Sequence, residues 1–255
     1  MPSAKKTIKK TSSAVRAIRA VIFDLDDTLM DTSGQLVRKG QILAIRLMIQ
    51  AGLPWPVGRE EELREEVLKR YGPACNTTDK AIEFLSVSDE REAAQLADIG
   101  HNAYHSVDTK EIMAFPGTIP LLEELKKRKI VLTMITHGTA KLQNAKIDAL
   151  GIRKYLDKII ISDAIGAVEK MRFYEEIVDW LASKGISAKE TLSVGDRIDS
   201  EIKASKTLGM VTAQVRNCGR YSCIMPRSAI EIPDFIVKLP SELLKMKKLR
   251  FERGI

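Results

Sequence analysis

The sequence predicts an α/β protein: a parallel sheet with helices on both faces, plus an inserted block made only of helices. Three observations carry this. From residue 115 onward short, nearly all-apolar strands alternate with single helices, as in βαβ units buried on both sides. Residues 33–110 show helical periodicity and no strand pattern. A chain of 255 residues, 44% hydrophobic and 29% charged, is long enough for one sizeable core with a smaller companion.

Residues 1–19 hold six cations and no acid among Ser and Thr, the composition of a mobile tail. A transit peptide has the same composition and stands as the alternative. By itself such a tail would adhere weakly, and salt-sensitively, to RNA or anionic lipid. Val21-Ile22-Phe23 then runs straight into Asp24-Leu25-Asp26-Asp27-Thr28, a buried strand that stops in an acidic loop. In extended chain Asp24 and Asp26 share a face. Carboxylates held that close repel and need a cation, a shared proton or both, whereas an isolated Asp-x-Asp reads equally as a solvated turn.

The period then becomes helical. Residues 35–50 carry Leu36, Ile42, Leu43, Ile45, Leu47 and Met48, and Gly52 and Pro54 close the helix. Residues 60–70 place acids early and Lys69-Arg70 late, as the helix dipole favours, before Tyr71-Gly72-Pro73. Residues 78–85 and 88–104 form two more helices, the second opened by Ser88-Asp89-Glu90-Arg91. After Phe115-Pro116-Gly117 the expected series is helix 119–129, strand 130–135, helix 139–150, strand 158–162, helix 172–184, strand 191–194 and helix 199–208. Strands 210–215 and 234–237 and a helix from Ser241 complete it. The expected organisation is a tail at 1–19, a core formed by 20–32 and 111–255, and a helical insert at 33–110.

The mean hydropathy of −0.12 is that of an ordinary globular protein, and no apolar run reaches membrane-span length. The net charge of +7 is misleading: Lys5, Lys6, Lys9, Lys10, Arg16 and Arg19 precede the first acid, and subtracting those six leaves +1. A nearly neutral body argues against a specific nucleic-acid surface. Cys75, Cys218 and Cys223 are odd in number and lack a Cys-x-x-Cys pair, which fits reduced thiols and a cytoplasmic protein.

In parallel sheets ligands bind at the carboxyl ends of strands. The residues there are Asp24 and Asp26 after the first strand, Thr136-His137-Gly138-Thr139 after the second, and Ser162-Asp163 leading to Glu169-Lys170 after the third. Asp196, Asp199 and Glu201 follow the fourth. Carboxylates from separate strands are hard ligands suited to Mg²⁺; a hydroxyl, an ammonium and helix-start N–H groups suit a phosphoryl dianion.

These four ordered motifs, over residues 20–240, resemble those of the haloacid dehalogenase superfamily, in the phosphatase branch that carries a helical cap after the first motif and includes phosphoglycolate phosphatases and β-phosphoglucomutases. The resemblance implies a Rossmann-like core and a small phosphorylated substrate. It implies Asp24 as nucleophile forming an aspartyl-phosphate, Asp26 as general acid and then base, and Thr136 and Lys170 as phosphate-binding groups. Mg²⁺ would be held by Asp24, Asp196 and the Asp26 main-chain carbonyl, with Glu201 supporting Lys170 or a metal water and Asp199 capping a helix. His137 stands where relatives often have Asn, and Met171 where they often have Pro; His137 would either bond the phosphate or start a helix. The acid at Asp26 disfavours dehalogenase and phosphonate-hydrolase chemistry, which have no acid there. A sugar-phosphate mutase and a catalytically silent binding protein are the alternatives to a phosphatase.

Overall fold

The computed structural model describes residues 16–162, 167–217 and 219–254. Residues 1–15 of the expected tail, Asp163 and Cys218 lie outside the described residues, as does the side chain of Glu169.

The chain opens with β1 (Arg16–Ile18) and β2 (Ala20–Phe23) and then enters four helices: α1 (Arg38–Gln50), α2 (Glu60–Tyr71), α3 (Thr77–Phe84) and α4 (Glu90–His105). α5 (Thr118–Lys127), β3 (Val131–His137), α6 (Ala140–Ala149), β4 (Lys158–Ser162), α7 (Ala167–Ala182) and β5 (Thr191–Gly195) follow. α8 (Lys203–Thr207), β6 (Val211–Val215), β7 (Phe235–Val237) and β8 (Leu249–Phe251) complete the described chain. Six strands form a parallel sheet in the order β4-β3-β2-β5-β6-β7. The order reverses around β2, so its carboxyl end opens at a topological switch point.

Alternation along β2 shows why the sheet is covered twice. Val21 and Phe23 join Leu121, Leu125 and Leu132 on one face, while Ala20 and Ile22 join Tyr174, Ile177 and Leu181 on the other. A run with no polar position can be stable only in that sandwich. The insert has its own cluster, in which Ile45 and Met48 of α1 meet Leu63, Val67, Ile82 and Leu96. Gly100 allows α4 to approach: a Cβ there would stand 2.4 Å from Thr78 Cγ2 and 2.6 Å from Met48 Sδ. Asp89, one residue inside the expected start, caps α4 by accepting from Glu92 N at 2.8 Å.

Three expectations are corrected. Residues 16–18, expected in a tail, form a strand instead: Arg16–Ile18 pairs in parallel with β8 and buries Ile18 completely. Arg19 is a clamp, donating to the carbonyls of Gly185 at 2.7 Å and Gly254 at 2.7 Å. The final helix is only a 3-10 turn at Pro240–Lys245, since Met246 turns extended and the chain gains its hydrogen bonds from β1 instead. The helix expected at 199–208 begins as a π-helical turn, Ile198–Ile202, and becomes α-helical only in α8. Among the described residues no helix is long and apolar enough to cross a membrane, and Cys75 and Cys223 are free thiols.

Candidate active site

The carboxyl ends of β2, β3 and β5, with the start of α7, bring Asp24, Asp26, His137, Lys170, Asp196 and Glu201 around a cavity of about 110 Å³. Asp24 is fixed by its own backbone, whose N–H donates to the Val194 carbonyl at 2.9 Å, and its Oδ2 accepts from Thr28 Oγ1 at 3.2 Å. The side chain is only 6% exposed, and burial, then the Glu201 charge, push its carboxyl well above the ordinary range. Asp196, also 6% exposed, is driven up by burial first and then by Glu201 and Asp24.

Glu201 and Lys170 balance this. Lys170 Nζ donates to Glu201 Oε1 at 2.5 Å, and Arg197 N donates to Glu201 Oε2 at 3.2 Å. Burial opposes the charge on both, but the pairing outweighs it: Lys170 is held above and Glu201 below the usual value. The turn after β5 makes the second contact possible, since a π-helical start returns Glu201 to the N–H of Arg197. Asp199 does not cap this turn as expected. It holds the Arg197 guanidinium, with both contacts at 3.2 Å, because the open first turn leaves a nearer cation for it.

Asp26 is turned into a separate nest. Its carboxylate accepts from Thr32 Oγ1 at 2.5 Å, Lys146 Nζ at 2.7 Å and Gln143 Nε2 at 3.0 Å. Burial would raise its pKa, but the Lys146 charge and these bonds prevail and hold it below the ordinary range. Gln143 also donates to Thr136 Oγ1 at 2.5 Å, so one amide spans the expected acid–base residue and the expected phosphate hydroxyl. Thr136 is fully buried near the end of β3. His137 lines the cavity, and burial followed by Lys170 lowers its pKa, leaving a neutral imidazole at pH 7.

Lys146, Gln143 and Asp27 were not anticipated. Lys146 and Gln143 are nearly buried polar residues on the same stripe of α6 as the core residue Ile147. A lysine interrupting a core-facing stripe is the sequence signal that marks them. Asp27 takes a left-handed φ of 54° and binds Ser33, accepting from its N at 2.7 Å and its Oγ at 2.5 Å. Asp27 lines the same cavity, where burial first raises its pKa and the Asp26 charge adds to the rise.

A family model for haloacid dehalogenase-like hydrolases matches residues 18–209. The chain belongs to this family. It is 34% identical over 230 residues to a glyceraldehyde 3-phosphate phosphatase of Methanopyrus kandleri, covering 89% of this chain and 96% of that one. A glyceraldehyde 3-phosphate phosphatase of Methanocaldococcus jannaschii is 30% identical over 236 residues, covering 91% and 97%. Among solved structures, the haloacid dehalogenase-like protein SP0104 of Streptococcus pneumoniae superposes with a TM-score of 0.58 at 19% identity, over 89% of this chain and 97% of that one. Such a match reports the family's parallel-sheet fold.

Proposed function

We propose that this haloacid dehalogenase-like hydrolase is a Mg²⁺-dependent phosphatase that cleaves a small phosphate monoester through a phosphorylated Asp24, with a three-carbon ester such as glyceraldehyde 3-phosphate as the first candidate. It is a phosphoric monoester hydrolase in class, as its family and its phosphatase relatives indicate. The observation that carries the mechanism is the gathering of Asp24, Lys170, Asp196 and Glu201 in one cavity with Asp26 beside it.

The donors fit Mg²⁺. Asp24 and Asp196 offer buried hard oxygens, and burial, then the neighbouring Glu201 charge, raises the pKa of both. Among the described residues no three His, Cys, Asp or Glu side chains form a metal-holding group; the ion would be held by two carboxylates, the Asp26 main-chain carbonyl and solvent. When bound, the ion shields the anions from one another and stabilises the charge that develops in the transition state.

The chain's own groups then divide the work. Thr136 and Lys170 bind the phosphoryl oxygens, Glu201 keeps Lys170 charged and placed, and an Asp24 oxygen attacks phosphorus as the ester oxygen departs. Asp26 supplies the proton that the departing alkoxide takes. It then removes a proton from the water that cleaves the acyl phosphate and frees Asp24. With Lys146 against it, Asp26 is ionised and set for this second half; for the first half the carboxylate takes up a proton from solvent and exchanges the Lys146 contact for the ester oxygen, to which that proton then passes. The helices of residues 33–110 act as a cap over the core edge formed by 20–32 and 111–255, excluding water and meeting the leaving group.

Hydrolysis of p-nitrophenyl phosphate with and without Mg²⁺, in wild type and Asp24→Asn, tests this. Metal-dependent turnover lost in the variant, with a phosphoryl group trapped on Asp24 in the wild type, is the expected result. Turnover that survives in Asp24→Asn overturns the mechanism.

A further inference from the structure

Three cavities meet at Arg220, on the loop that follows β6. It lines the 110 Å³ cavity of the carboxylates, a second of about 240 Å³ against α3 and α4, and a third of about 270 Å³ that opens beside Asp26. The other cations at this edge have carboxylate partners: Lys170 has Glu201, Lys146 has Asp26 and Arg197 has Asp199. Arg220 makes no ion pair with a described residue, and its Nε is buried without an acceptor. A guanidinium left in that state beside a reaction centre has donors to spare for a molecule from solution.

The residue is also held in place. Its backbone N donates to Ser33 Oγ at 3.2 Å, and Ser33 in turn binds Asp27. Gly219 lets the loop lie on that acid, since a Cβ there would stand 2.9 Å from Asp27 Cβ. The guanidinium carbon lies 5.4 Å from the centre of the Tyr221 ring. The 240 Å³ cavity has amide, hydroxyl and imidazole groups from Gln41, Asn76, Thr77 and His101, and no carboxylate that would compete for the cation. In the 270 Å³ cavity the single acid, Asp26, is occupied by Lys146, and Leu36, Val37 and Leu142 form apolar walls.

We propose that Arg220 is the specificity residue for the leaving group, selecting phosphate monoesters whose alcohol carries an sp² oxygen, in an aldehyde or carboxylate, over polyol esters of equal length. The inference rests on the phosphatase reading above. The planar N–H fork matches the in-plane lone pairs of such an oxygen. A polyol hydroxyl can accept from it too, but its tetrahedral oxygen has no plane of lone pairs to match the fork.

The test is kcat/KM of the full-length protein with Mg²⁺ for glyceraldehyde 3-phosphate, 3-phosphoglycerate and glycerol 3-phosphate. Wild type is expected to favour at least one of the first two over the third by about tenfold or more, the scale of a lost buried polar contact. In Arg220→Gln that ratio should collapse to within about threefold, chiefly through KM. Should that variant fail to fold, the ratio in Arg220→Lys, which keeps the charge and loses the fork, decides the matter and is expected to fall as well. A ratio unchanged by substitution, whatever the absolute loss, overturns the assignment. A wild type that hydrolyses p-nitrophenyl phosphate without preferring either sp² ester also overturns it while leaving the phosphatase standing; a wild type that hydrolyses no monoester overturns the phosphatase reading itself.

Discussion

The sheet edge and the helical insert use charge in opposite ways. At the edge Asp24, Lys170, Asp196 and Glu201 are each less than a tenth exposed, and every one feels another's field. In the insert, ion pairs such as Lys80–Glu83 and Arg59–Glu62 join neighbours one helical turn apart on the open surface. A solvated pair is screened and contributes little, whereas a buried one sets the protonation state of everything around it. The contrast teaches where chemistry can reside: the insert's surface charges are screened by water, and the edge's buried charges set one another's protonation.

The comparison is broken most severely at Asp24. Asp24→Asn should lower turnover by about three orders of magnitude or more, roughly 4 kcal/mol of barrier, with no loss of melting temperature, because a repelled buried carboxylate has been removed. Steady-state kinetics beside a thermal melt checks both halves.

Next is the Lys170–Glu201 pair. Lys170→Met should cost roughly 3–5 kcal/mol of stability, since it strands the Glu201 carboxylate in a dry site. Lys170→Met combined with Glu201→Gln should recover part of that in urea denaturation; absence of recovery would show that the pair does not act as a unit.

The metal comes third. Asp24 and Asp196 hold their protons more tightly folded than unfolded, so stability is lost as pH rises from the ordinary carboxylate value through their raised native values. Mg²⁺ offsets this loss where both are ionised. The rise in melting temperature on replacing EDTA with saturating Mg²⁺ should therefore be larger near pH 8 than near pH 5, where it reflects less of the about 2.7 kcal/mol that a hundredfold excess over Kd contributes. An equal rise at both would contradict two carboxylate ligands.

Lys146→Met sharpens the division within the edge. Without that ammonium the Asp26 pKa rises, so the acid limb of the kcat–pH profile should move to higher pH. The smallest effect belongs to the insert: Lys80→Ala, whose partner Glu83 stays in water, should leave both melting temperature and turnover unchanged within error.

What could be read from sequence follows the same line. Asp24 and Asp196 were legible as cavity residues because each sits just past a short apolar strand, and a parallel sheet delivers strand ends to one edge; Lys170 reaches the cavity from α7, while Thr136 stays fully buried inside β3 and does not line it. The spacing from Asp196 pointed to Glu201, and the structure puts it on Lys170. Lys146 and Gln143 were hidden because a helix carries them to Asp26 from 120 and 117 residues away. Arg220 was hidden more deeply, on a loop without periodicity that only the packing against Asp27 brings to the site. Asp199 was misjudged because a π-helical turn obeys different capping geometry from the α-helix assumed. The lost strands, β1 and β8, are three residues each and make sense only as a pair separated by most of the chain.

That small pairing has a practical side. β1 feeds directly into the amino end of β2, and Gly254 N donates to the Lys129 carbonyl just before β3, so both ends of the described chain are fastened at the edge away from the carboxylates. Arg16 and Gly254 therefore stand behind the sheet, on the side away from the cavity. A tether attached at those two positions leaves the mouth of the site facing the solution.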